Sequence, residues 1–187
     1  INREVVPAIG CTEPIAVALC VAKATETLGC KPEKIQALLS ANILKNAMGV
    51  GIPGTGMIGL PIAIALGALI GKSEYQLEVL KDSTPEAVEA GKKLIDSQAI
   101  NIGLKYGIEE KLYIEIVCEA EGKKATAIIS GGHTNFVYVA RDGEVLVNKQ
   151  AASANETATD DVELTLRKVY DFAMETPIEE LKFILET

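Results

Sequence analysis

Residues 112–130 read LYIEIVCEAEGKKATAIIS, and their spacing decides the class of fold. Leu112, Ile114, Ile116 and Cys118 fall on one side of an extended chain. Tyr113, Glu115 and Glu119 carry the other, more polar side. Side chains alternate with period two only on a strand, so this is a strand with one buried face. The stretch EGKK (121–124) then reads as a turn, and ATAIIS (125–130) as the returning strand. Downstream, TNFVYVA (134–140), the turn RDGE (141–144) and VLVNK (145–149) repeat the pattern. Asp142-Gly143 is the turn signal there, because both residues tolerate the left-handed backbone of a tight hairpin.

Upstream the period lengthens. INIGL (100–104) reads as one more strand and IQALLS (35–40) as another, but the rest is helical. A first helix is expected from about Glu13 to Leu28, with Thr12 as N-cap, Pro14 in the first turn and Gly29 as the stop. ANILKNAM (41–48) makes a short helix ended by Gly49, followed by the loop GVGIPGTGMIG and the apolar helix LPIAIALGALIG (60–71). The segment 83–99 opens with Thr84 as cap, Pro85 at the first helical position and Glu86 beside the positive helix end. Residues 150–158, QAASANETA, read as a linker. Two helices follow, one starting near Asp160 and one at the capping box Thr176-Pro177-Ile178-Glu179.

Strands clustered between helical segments give an α+β fold rather than alternating βαβ units. The expected organisation is a mainly helical segment 1–99, a central antiparallel sheet of about five strands over 100–150, and a linker with C-terminal helices over 151–187. The first residue is Ile, not Met, which fits a piece of a longer polypeptide.

Composition narrows the function. Apolar residues make up 48% of the 187 residues, but aromatics only 4%. The core must therefore be built from Ala, Ile, Leu and Val at close spacing. A net charge of −8 with no basic run argues against nucleic acid or an anionic membrane as partner. The uncharged stretch 46–71 is too rich in Gly and Pro in its first half to span a membrane. Only about 15 residues could be helical there, well short of a roughly 30 Å hydrocarbon core. Four cysteines without CxxC spacing fit neither a zinc ribbon nor a dense disulfide framework. Together these point to a reducing, cytoplasmic setting.

Several short motifs could carry chemistry. Gly54-Thr55-Gly56-Met57-Ile58-Gly59 fits G-x-G-x-x-G and opens a helix. A dinucleotide site would need a buried parallel strand before it, and NAMGVGIP does not read as one. It is either a tight turn or a cradle of backbone N–H groups for a small anion such as a carboxylate. SGGHTN (130–135) holds the only histidine. His133 is a proton carrier near neutral pH, or simply a turn residue. Lys45-Asn46 precedes the uncharged stretch; the lysine is a carboxylate anchor or a base, or a solvated side chain.

Cys118 and Cys20 lie on apolar faces, and Cys30 follows a helix-ending glycine. Cys11 differs. It sits at the mouth of a helix N-terminus, where the dipole favours thiolate, and thiolates bind soft metals and iron–sulfur clusters. A quiet small residue is the other reading.

Three stretches, VVPAIGCTEPIAVAL, NILKNAMGVGIPGTGMIGLPIAIALGAL and SGGHTN, resemble the L-cysteine desulfidase family, which is related to the iron–sulfur L-serine dehydratases of the α-chain type. EVLKD (78–82) fits as well. The resemblance implies a lyase that eliminates a β-substituent from a small amino acid. The products are pyruvate, ammonia and sulfide from L-cysteine, or pyruvate and ammonia from L-serine. It implies an oxygen-sensitive 4Fe–4S cluster with three cysteine ligands, one of them Cys11. The other cluster cysteines of the family lie in a C-terminal helical half, and nothing here matches them. The chain is therefore expected to be an N-terminal part, inactive alone, partnered by the C-terminal half of the same enzyme and able to form homo-oligomers.

On that reading Lys45 and His133 are the candidate bases. Asn46, Gly54, Thr55, Gly56, Thr134 and Asn135 are the candidate substrate contacts. Thr12 and Glu13 orient the cluster edge or cap the helix. The rival is a non-catalytic regulatory module that binds a small ligand.

Overall fold

A computed structural model of the chain describes residues 7–149 and 165–185. The linker expected at 150–158 and the helix start expected near Asp160 lie outside the described residues. The chain forms two compact units, one of residues 8–150 and one of residues 1–7 with 151–187. The boundary expected at 99/100 thus falls inside the first unit.

That unit is an α+β layer structure. Its helices are α1 (Thr12–Leu28), α2 (Ala41–Ala47), α3 (Leu60–Leu69) and α4 (Pro85–Asp96). Its strands are β1 (Lys34–Leu39), β2 (Gly51–Ile52), β3 (Met57–Ile58), β4 (Ile100–Leu104), β5 (Tyr113–Ala120), β6 (Lys123–Ser130), β7 (Phe136–Arg141) and β8 (Glu144–Asn148). Six strands make one sheet in the order β4-β1-β5-β6-β7-β8. It is mixed, not antiparallel: β1 pairs parallel with β4, while the other neighbours are antiparallel. The parallel pair follows from the connection, because α2, α3 and α4 carry the chain back across the layer before β4 begins.

The alternation in β5 is as expected. Ile114, Ile116 and Cys118 are fully buried, and Glu115 and Glu119 lie on the other face with Gln36 and Lys124. The turn before β6 is shorter than EGKK. Ala120 pairs with Lys123, so only Glu121 and Gly122 turn, both with positive φ. That is the hairpin geometry whose twist matches the strands. Asp142 and Gly143 repeat it at φ 48° and 88°.

α1 packs on the buried face of β5 and β6, α3 packs on α1, and α4 packs on α3. α1 is apolar nearly all round and is buried from Pro14 to Ala22, as a helix enclosed in a core must be. Small residues let the helices approach. A Cβ built at Gly67 of α3 would lie 2.6 Å from the Ala18 carbonyl oxygen of α1. α4 is amphipathic, and its Thr84 cap accepts a hydrogen bond from the Ala87 N–H at 3.2 Å, as its sequence demands.

The cap of α1 is not Thr12. Cys11 takes the N-cap position with extended backbone (φ −69°, ψ 132°), and Thr12 is already helical. The expected 49–59 loop contains the β2–β3 hairpin. Among the described residues no helix is long and apolar enough to cross a membrane.

In the second unit, α5 (Leu166–Glu175) is capped by Thr165, whose hydroxyl accepts from the Lys168 N–H at 3.2 Å. A 3-10 segment, Ile178–Leu185, follows where the capping box predicted a helix.

Candidate functional site

The sheet has one end at which several motifs gather. β1 ends there at Leu39, β5 begins at Tyr113, β6 ends at Ser130 and β7 begins at Phe136. Ser40 ties this end together: its N–H donates to the Tyr113 carbonyl at 3.0 Å, and its hydroxyl donates to the Lys111 carbonyl at 2.7 Å. α2 leaves from Ser40, and the SGGHTN turn joins β6 to β7. α1 also points its N-terminus this way. Its Thr25 lies 3.9 Å from Cys118 Sγ, while Cys20, further toward the N-terminus, donates to the Ala127 carbonyl at 3.3 Å and lies 3.9 Å from the Ile114 carbonyl. Running back along α1 therefore runs toward Tyr113 and out over the sheet end.

At that N-terminus, Glu13 is a hub. Its Oε2 accepts hydrogen bonds from the Cys11 thiol at 3.0 Å and from the Thr12 hydroxyl at 3.3 Å. Its Oε1 accepts from the Asn46 amide at 3.3 Å. Cys11 is half-buried and Asn46 exposed. The β2–β3 hairpin closes on the same place. Gly10 sits against Pro53, where a Cβ would come within 2.8 Å of the proline Cγ, and its φ of +84° needs glycine.

Electrostatics reverse one expectation. The helix end was expected to favour thiolate at Cys11. Instead the thiol is raised above its ordinary value, first by its hydrogen bond to Glu13 and then by burial. The same hydrogen bond lowers the Glu13 carboxyl below its ordinary value. The negative charge resides on the carboxylate, with the thiol as its donor.

The remaining expected site residues divide. Lys45 is exposed on α2, one residue before Asn46. A Cβ at Gly54 or at Gly56 would meet nothing within 4 Å, so the hairpin tip is open above both. Thr55 is committed to its own turn: its hydroxyl donates to the Ile52 carbonyl at 2.7 Å and accepts from the Met57 N–H at 3.0 Å. Asn135 is also a turn-maker, its amide donating to the Ser130 carbonyl at 2.9 Å. His133 and Thr134 are half-buried in that turn, which the Gly131 N–H ties to the Leu112 carbonyl at 3.0 Å. The G-x-G-x-x-G stretch is an antiparallel hairpin and not a strand-to-helix phosphate loop, so the dinucleotide geometry is absent.

The other thiols are structural. Burial pushes Cys20 well above its ordinary value and Cys118 up to about 12. Cys30 lies past the far end of α1, a 17-residue helix of roughly 25 Å. Among the described residues no three His, Cys, Asp or Glu side chains are grouped to hold a metal ion. A cluster needing three thiolates therefore does not fit the described residues, which offer Cys11 alone at this end.

One group was not anticipated. On the sheet face away from α1, Lys105 Nζ and the Tyr113 hydroxyl both donate to Glu115 Oε2 at 2.7 Å. Tyr113 and Glu115 two apart on one strand signal the pair, but the arrival of Lys105 needs the β1–β4 pairing.

The fold and site define a mixed-sheet α+β unit with one thiol–carboxylate–amide edge at an open sheet end. Proteins like it have been named in several bacteria. A UPF0597 protein of Phocaeicola vulgatus is 79% identical over 187 residues, 100% of this chain and 43% of that protein. A UPF0597 protein of Bacteroides fragilis is 77% identical, over 100% of this chain and 44% of its own length. One from Chromobacterium violaceum is 44% identical over 185 residues, 98% of this chain and 43% of its own. The chain thus spans less than half the length of these relatives. No family model matches the chain, and no solved structure matches it.

These names correct the resemblance to the L-cysteine desulfidase family, and with it the reading of the chain as that enzyme's N-terminal part. The likeness is to UPF0597 proteins along the whole chain. Much of what the shared stretches encode is local packing: the Gly10–Pro53 contact, the hairpin and the Asn135 turn.

Proposed function

We propose that the chain contributes one edge of a metal-dependent lyase site, which removes the thiol of L-cysteine or the hydroxyl of L-serine by α,β-elimination. One observation carries the reading: Glu13 gathers the Cys11 thiol and the Asn46 amide at an open sheet end, within 3.3 Å of each. The described residues do not complete a cluster site. Of a metal site this chain would supply one ligand, Cys11.

This chain's residues have their own tasks. Glu13 Oε2 accepts the thiol's hydrogen bond and fixes where the sulfur would stand as a ligand. Asn46 fixes the carboxylate through its other oxygen. The open backbone at Gly54 and Gly56, with Lys45 nearby in sequence to Asn46, suits a substrate carboxylate. Lys45 or His133 serves as base for the α-proton. The four free thiols suit a reducing cytoplasm.

The test is anaerobic purification of the longest available protein, with iron, sulfide and pyruvate measured for both amino acids. Cys11→Ser should lower iron content and turnover together. Iron and turnover unchanged in that variant would reject the proposal.

A second reading, a non-catalytic ligand-binding module, has one observation in its favour. A groove of about 320 Å³ on the polar sheet face is lined by Lys34, Gln36, Gln98, Asn101, Val117 and Glu119, near the lower bound for small-molecule pockets. A melting-temperature rise with a free amino acid, lost in Gln36→Ala and unaffected by Cys11→Ser, would favour it.

A further inference from the structure

α5 has two unlike sides. At about 100° per residue, Leu166, Val169, Tyr170, Phe172, Ala173 and Met174 cover one continuous arc, and Arg167, Lys168, Asp171 and Glu175 cover the rest. Such a division belongs to a helix lying on an apolar surface. Yet no residue of α5 is buried. Its large apolar side chains are exposed from 51% at Val169 to 91% at Leu166, and Ile178 beyond it is 75% exposed. A ten-residue helix has too few backbone hydrogen bonds to hold itself in water. Something must cover that face.

The lengths of the relatives say what. They align with all 187 residues of this chain, α5 included, and this accounts for only 43–44% of their own length. More than as much polypeptide again accompanies the helix in those proteins. We propose that α5 is a docking helix, its apolar face buried against that additional polypeptide in an apolar groove. A membrane surface is a poorer occupant, because the polar side carries two bases and two acids and so no net positive charge. Arg167 and Asp171, joined at 2.9 Å, keep that side solvated. The inference stands on the exposed arc and the relatives' lengths, and does not depend on the elimination chemistry.

Hydrogen exchange tests it on two proteins: this chain, and the Bacteroides fragilis relative at its full length. The expected result is slow exchange of the segment aligned with 166–174 in the long protein, by about 100-fold relative to this chain. An aspartate at the position aligned with Tyr170 should restore fast exchange there while β5 and β6 stay protected. If that variant loses the sheet as well, a serine at the position aligned with Leu166 serves in its place. Equally fast exchange in both proteins overturns the proposal. So does slow exchange already present in this chain, which, if it grows with concentration, means that a second copy covers the helix.

Discussion

A close helix crossing in the unit makes a sharp prediction. Gly67 of α3 faces the backbone of α1, and a Cβ added there would lie 2.6 Å from the Ala18 oxygen, 3.1 Å from its Cα and 3.2 Å from its carbonyl carbon. Carbon neighbours in a relaxed core sit about 3.5–4.0 Å apart. No rotamer relieves this overlap, because all three atoms belong to the main chain of a helix buried on nearly all sides; α1 or α3 must move bodily. Overpacking of this kind costs about 1–3 kcal/mol, and a backbone clash belongs at the top of that range. Alanine in place of glycine returns about 1 kcal/mol of helix propensity. Gly67→Ala should therefore destabilise by about 2 kcal/mol, the difference of those two effects. For a chain of this size that lowers the melting temperature by roughly 4–8 °C. Gly91→Ala is the control. Its Cβ would meet the Ile62 Cδ1 at 3.0 Å, the tip of a side chain that can swing away, so the propensity gain should leave that variant neutral or more stable. Thermal unfolding followed by circular dichroism measures both. Gly67→Ala melting at or above the parent would refute the reasoning.

Two further predictions concern the thiols. Glu13→Gln removes the carboxylate that holds the Cys11 thiol up, so the thiol should ionise more readily and alkylate faster at pH 7–8. Mass spectrometry of iodoacetamide-labelled peptides would read this at Cys11, with Cys20 and Cys118 unlabelled in the native protein; an unchanged or slower rate at Cys11 contradicts the hydrogen-bond argument. Cys118 titrates at about 12 in the fold against an ordinary 9.0, so the fold prefers the protonated thiol. Its contribution is whole below pH 9 and is lost as pH rises toward 12. A Cys118→Ala chain should start less stable but lose stability less steeply across that window in urea titrations. Parallel slopes would show that this thiol is not the group involved.

What the sequence disclosed was what neighbours along the chain can encode. Ile114, Ile116 and Cys118 announce a buried strand face without help from elsewhere. Thr84-Pro85-Glu86 announces a helix start, and Asp142-Gly143 a hairpin. The direction of β4 was hidden, because INIGL carries no mark of its partner; only the long return through α3 and α4 sets it parallel to β1. Cys11 has no oxygen for capping, so Thr12 reads as the cap, yet Cys11 holds that position with extended backbone next to the Gly10–Pro53 contact. At the site, the motifs stand out in the sequence, but the duties of single residues do not. Thr55 and Asn135 look like ligand contacts in a row of letters, and their polar atoms turn inward to close their own loops. A helix end alone favours thiolate at Cys11, but the Glu13 carboxylate two residues away reverses that.

The place of β1 inside the sheet, between β4 and β5, also shapes how the chain comes together. Ser40 and Tyr113, which meet at its end, are 73 residues apart, while β5 to β8 are joined by short turns. The four-strand meander can close on itself early; the slot beside β5 fills only after a far longer search. On the ribosome the order is reversed. α1, apolar on nearly every side, emerges first and waits on the order of ten seconds for β5 and β6 to be synthesised. During that interval its safety depends on whatever else shields it, and this segment is where chaperone demand and aggregation should concentrate.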